Sequence, residues 1–183
     1  MTCQSVCKNI EFSHDIVIGL FVINTYKNYG KKHIADDSFL TIVGSCSSIF
    51  GGIRFVWTWI VDKYSFKLSY TIVLCMNIVF GFTLVLVSDS KPLYLIWVCM
   101  IVWAEGAHFG LVPTACALFF GEHAAVVYGV MFSFGVISQI TSTFMVRYLL
   151  NTIGYESFYY LASGLSLLSL FYLFFLFEEK KVC

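Results

Sequence analysis

Apolar residues in this chain come in long, nearly unbroken runs, and short polar clusters separate the runs. A bilayer-spanning helix needs about 20 predominantly apolar residues. Five stretches reach that length: Ser38–Val61, Leu68–Val87, Pro92–Phe120, Ala124–Leu150 and Tyr155–Phe177. A sixth, Ile10–Tyr26, is weaker, because Glu11, His14 and Asp15 leave only Ile16–Asn24 cleanly apolar. The connections are brief and polar: Lys27–Asp37, Asp62–Lys67, Ser88–Lys91, Gly121–His123 and Asn151–Gly154. Helices joined so closely must run antiparallel to their neighbours. The pattern predicts an all-α fold, a polytopic transmembrane bundle of about six helices in one domain.

Composition points the same way. Of 183 residues, 59% are hydrophobic and 12% charged, against roughly 25% charged in soluble domains. The expected setting is an integral, multi-pass membrane protein whose main partner is the lipid bilayer. Zero net charge and the lack of a basic arm argue against nucleic acid. Four cysteines sit inside apolar runs, where cysteine acts as a small hydrophobe. Cys3 and Cys7 lack a matching Cys/His pair, so no metal site is expected. The start MTCQSVCKNIEF lacks the apolar core of a cleavable signal. The tryptophans and most phenylalanines read as interfacial or lipid-facing. No phosphate loop, HExxH or nucleophile–base spacing is present, so an enzyme is not expected and no cofactor is implied. Positive-inside counting ties, with five basic residues on each side.

Arg54 breaks the apolar pattern inside Ser38–Val61. A guanidinium does not deprotonate in proteins, and mid-membrane placement costs about 2.5–3.5 kcal/mol on translocon scales. It must therefore pair, face water or touch an anion. At 1.5 Å per residue, Arg54 lies about 12 Å from the side holding Asp62. Glu105 lies about 20 Å from the opposite side, which leaves about 10 Å in a core about 30 Å thick. The two charges match in depth, and His108 follows Glu105 by three positions on the same helical face. Arg54, Glu105 and His108 are candidates for one polar site, either an anion or proton-coupling site or a structural ion pair. Gln139, with Gly135, Ser138 and Ser142, adds a polar stripe that lines a cavity or packs in the core. Gly44, Ser48 and Gly52 form a small-residue stripe suited to close helix packing. Asp62, at a helix C-terminus, suits a latch to another helix's N-terminus. Pro113 predicts a kink or a bend beside a cavity.

Gly51-Gly52-Ile53-Arg54, followed eight positions later by Asp62-Lys63, resembles a helix-and-loop signature of major facilitator superfamily transporters. The similarity is to the oxalate/formate antiporter and monocarboxylate-transporter-like branch. Pro113, Phe120-Gly121 and Tyr128-Gly129 resemble that branch's tenth and eleventh helices. The resemblance spans about Ile10 to Phe177. It implies helices seven to twelve, the C-terminal half of a twelve-helix secondary transporter working by alternating access. It places the Asp62 side in the cytoplasm and Arg54 where a carboxylate substrate is held. Phe132–Gly135 reads FSFG where oxalate-type members carry a lysine, which leaves a monocarboxylate or another small anion as the solute. Half a transporter implies a partner, either a second six-helix half or a second copy in a homodimer. The competing reading is a non-transporting half that acts as a membrane interaction or regulatory subunit.

Overall fold

The computed structural model describes residues 19–148 and 150–176. The start of the expected first span, with Glu11, His14 and Asp15, lies outside the described residues. So do Cys3, Cys7, Cys183 and the EEKKVC tail. Every regular element among the described residues is helical. Residues 19–33 form α1, followed by α2 (Asp37–Gly52), α3 (Phe55–Lys63), α4 (Phe66–Val87) and α5 (Lys91–Phe120). A 3-10 turn (Gly121–His123), α6 (Ala124–Tyr148) and α7 (Leu150–Leu176) complete the order. Four stretches of the described residues are long and apolar enough to cross a membrane: Asp37–Lys63, Phe66–Val87, Lys91–Tyr148 and Thr152–Phe175. The protein is thus an all-α protein with membrane-length helices.

Local chemistry explains most boundaries. Asp36 caps α2, its carboxylate accepting the Phe39 N–H at 3.0 Å. Ser65 caps α4 through the Leu68 N–H at 3.1 Å. Pro92 stands in the first turn of α5, where its missing N–H costs nothing. Gly121 (φ 51°) ends α5, and Gly154 (φ 78°) interrupts the start of α7, both in left-handed backbone that glycine alone enters cheaply. The first helix departs from expectation. It runs on through Lys27–His33, about two turns beyond Tyr26, where the polar pattern suggested a loop.

α5 is the hub. It packs on α2, α3, α4 and α6, while α7 covers α4 and touches α6. α6 folds back on α5, with the Cys116 and Met131 sulfurs 3.6 Å apart. α1 lies among α2, α5 and α7. Phe21 stacks on Phe158 at 3.8 Å between ring centroids, and the Tyr94 hydroxyl donates to the Tyr26 carbonyl at 2.6 Å. Between helices of membrane length, contacts of this kind draw on packing and hydrogen bonding, since lipid tails are as apolar as a helix core.

A close backbone approach joins α2 to α5. A Cβ added at Gly106 would sit 2.9 Å from the Gly51 carbonyl oxygen, and one at Gly110 would sit 3.2 Å from the Arg54 carbonyl oxygen. The expected small-residue stripe is thereby redrawn. Gly44 does meet a neighbour, the Tyr26 hydroxyl of α1. Ser48 and Gly52 are exposed, and nothing lies within 4 Å of a Cβ at Gly52. One register position separates Gly52 from the contact that Gly51 makes.

One end of the bundle is tied by charge. Asp36 takes Lys91 at 2.6 Å, Asp37 takes Lys31 at 2.9 Å and Lys27 at 3.4 Å, and Asp89 meets His33 at 2.9 Å. These contacts join α1, α2 and the α4–α5 turn. The Lys91 hydrogen bond, aided by the Phe39 N–H, holds the Asp36 carboxyl below the usual carboxylate range. A depressed folded-state pKa stabilises above the unfolded value and is lost as pH falls through the carboxylate range.

Two outcomes follow. Gly106→Ala will lower the unfolding temperature in detergent, with a cost of about 1–3 kcal/mol for overpacking against backbone, whereas Gly52→Ala will not. In acid below about pH 4, the unfolding temperature of Asp36→Asn will fall less than that of the parent chain, because one depressed carboxyl has been removed.

Candidate functional site

The membrane-length stretch Asp37–Lys63 is broken where Arg54 stands. Two glycines, poor helix formers, precede the break. Ile53 leaves helical geometry (ψ 29°), and its N–H is shared between the carbonyls of Ile49 (3.2 Å) and Phe50 (3.1 Å). The chain resumes as α3 with three-residue spacing, Trp57 N–H donating to the Arg54 carbonyl at 3.1 Å. Two indoles bridge the break. The Trp57 N–H donates to the Trp103 carbonyl at 3.2 Å, and the Trp103 N–H reaches the Ile53 carbonyl at 3.5 Å. Trp57 is 1% exposed. It is a core residue, which corrects the expectation of an interfacial or lipid-facing side chain. Its neighbour Trp59 is exposed, beneath the Lys63 ammonium at 4.9 Å.

With its backbone carbonyl against Gly110, Arg54 presents its side chain on the outside of the bundle. No ion pair to Arg54 occurs among the described residues. Along α2, Thr41, Ser45, Ser48 and Gly52 are exposed too. Their spacing of four, three and four residues places them on one helical face.

Glu105 and His108 lie elsewhere on α5. Both are buried, at 2% and 0% exposure, with the His108 Nδ1 3.6 Å from Glu105 Oε2 and 3.2 Å from the Glu105 carbonyl. Glu105 faces α1, so close that a side chain at Gly19 would overlap its carboxylate. His108 faces α4, edge-on to Tyr70 with ring centroids 5.9 Å apart. The face of α5 that meets α2 and α3 belongs instead to Val102, Gly106 and Gly110. The structure therefore brings Glu105 and His108 together and sends Arg54 outward. Depth alone matched Arg54 to Glu105; the angle around α5 separates them.

Gln139 is half-buried on α6, and Ser138 and Ser142 beside it are buried. No side-chain hydrogen bond joins Gln139 to Arg54, Glu105 or His108 among the described residues. Asp62 and Lys63 are both exposed, and the Asp62 carboxylate makes no hydrogen bond or ion pair among the described residues. Pro113 lies within a continuous α5, half-buried, with Thr114 Oγ1 donating to the Gly110 carbonyl at 2.9 Å. Tyr70, Thr41 and Ser45 escaped notice in the sequence. The four-three-four spacing from Thr41 to Gly52 was the available signal for the exposed polar face.

Comparison of the chain with protein-family models finds no match, and comparison with curated proteins finds none either.

Replacing Arg54 with glutamine will leave the unfolding temperature in detergent unchanged, because the side chain has no partner to lose among the described residues. His108→Ala will lower it, by the equivalent of about 2–4 kcal/mol for emptying a fully buried site. Equal effects of the two substitutions would contradict the separation of the two sites.

Proposed function

We propose that this chain is a six-helix half of a secondary transporter of the major facilitator type, moving a small organic anion by alternating access. α1, the broken pair α2–α3, α4, α5, α6 and α7 make the six spans. A monocarboxylate suits a site with one cation. The observation that carries this reading is the exposed Arg54 on the same span as the exposed row Thr41, Ser45, Ser48 and Gly52. A guanidinium can reach toward headgroups, but serine and threonine hydroxyls are too short to do so. Such a face suits a water-filled path or a protein partner better than lipid. The buried Glu105–His108 pair supplies groups able to hold or pass a proton during the cycle. Gln139 would line the path from α6. The face bearing Arg54 closes against a second six-helix half or a second copy, with the substrate between the two. The Asp62–Lys63 turn then lies on the cytoplasmic side.

Uptake of labelled lactate and formate by membrane vesicles from cells expressing the chain tests this. Arg54→Gln will reduce uptake at least about tenfold, the loss of roughly 1.4 kcal/mol or more of a charge-assisted hydrogen bond. Arg54→Lys will retain part of it, since charge survives without the planar fork. Membrane insertion will be normal in both. Uptake by Arg54→Gln equal to that of the parent chain would defeat the proposal.

A further inference from the structure

A groove of about 530 Å³ opens between α1 and α2 on the half of the bundle that carries the Lys27–Asp37 pair. That size falls in the range of small-ligand sites, about 300–1,000 Å³. Tyr26 and Lys27 form its α1 wall, Thr41, Ser45 and Ser48 its α2 wall, and Val102 of α5 lies beneath. Its α2 wall is the exposed hydroxyl row already described, whereas Tyr26, Lys27 and Val102 are new to it, and Arg54 does not line it.

We infer that this groove is a binding subsite for a small hydroxylated organic anion. The inference rests on the transport reading and narrows its substrate class. The donors and acceptors of the groove are sorted by position. At its mouth the Lys27 ammonium donates to Thr41 Oγ1 at 3.2 Å and lies 3.4 Å from Asp37. An ammonium has three N–H donors, so one is left for a ligand. Asp37 is also held by Lys31 at 2.9 Å, so two ammonium groups share one carboxylate and the mouth keeps a net positive charge. The hydroxyl wall is different. Thr41 donates to the Asp37 carbonyl at 2.9 Å, Ser45 to the Thr41 carbonyl at 3.1 Å and Ser48 to the Gly44 carbonyl at 2.8 Å. Each hydroxyl has a single proton, and each proton is committed to the helix backbone. What the wall offers a ligand is therefore lone pairs. A carboxylate fits the Lys27 end, and hydroxyl groups of the same molecule donate to Ser45 and Ser48. From Thr41 to Ser48 the wall is about 10 Å long, enough for an acid of a few carbons. A plain carboxylate would satisfy the mouth alone.

Cysteine labelling in vesicles tests this without requiring transport. Single cysteines replace Ser45, Ser48 and, as a lipid-side control on the same helix, Ile42, which is 54% exposed and outside the groove. The native cysteines are replaced by alanine. The probe is a methanethiosulfonate carrying a sulfonate group, compared with one carrying a trimethylammonium group. Ser45→Cys will react faster than Ile42→Cys and will favour the anionic reagent. Adding Lys27→Gln will cut that preference about fivefold or more through loss of local positive potential. Glycerate will slow labelling at Ser45→Cys and Ser48→Cys, and propionate, of the same carbon number, will do so at least about threefold less, because it lacks the donated hydrogen bonds. Labelling at both serine positions no faster than at Ile42→Cys overturns the subsite, as a second copy covering the groove would produce. Equal protection by glycerate and propionate overturns the hydroxylated-anion assignment. Labelling and glycerate protection without carboxylate uptake uphold the subsite and count against the transport reading alone.

Discussion

Backbone meets backbone where Gly106 of α5 receives the Gly51 carbonyl of α2, and the rest of the arrangement depends on that contact. Small residues at the contact let two helices approach so closely. The approach fixes the rotation of α5. With Val102, Gly106 and Gly110 turned toward α2 and α3, Glu105 is obliged to face α1 and His108 to face α4. It also sets where the spanning stretch breaks. Gly51 sits in the contact, Gly52 is bare, and the helical ladder opens one residue later at Ile53. Arg54 follows the break and points out of the bundle. The position of the exposed cation and the seclusion of the buried acid–imidazole pair thus come from the same contact.

Charge supports this arrangement from one end. The ion pairs around Asp36, Asp37 and Asp89 hold the start of α2, the end of α1 and the α4–α5 turn. Exposed pairs of this kind are individually weak, yet they fix the mouth of the α1–α2 groove and set its sign. Aromatic packing of Phe21 and Tyr29 against α7 holds the far side of α1. α1 is therefore positioned from three directions, which keeps Lys27 and Tyr26 on one wall.

Much of the architecture was legible because hydrophobic length is a coarse property. The apolar runs and the short polar connections, with their glycines at 121 and 154, are written locally. The register of helix on helix is not. Gly51 and Gly52 are equivalent in sequence, and only the partner helix selects between them. The same limit explains Trp57 and Trp59, two residues apart, of which one fills the core and the other leaves it. Depth along a helix can be counted from the sequence; azimuth needs a neighbour. That is why Arg54 and Glu105 matched on paper and part in space. Lys27 read as a loop residue, because a polar stretch continuing a helix past the apolar boundary resembles a connection.

The reciprocal indole bridge gives the molecule an optical gauge of its own. Trp57 and Trp103 lie with ring centroids 4.7 Å apart at the interruption between α2 and α3, each indole bonded to a carbonyl near the other. Their emission depends on that separation and on the dryness around them. Any flexing of the span at Ile53 changes both, so motion next to Arg54 would be visible as intrinsic fluorescence, with no label attached.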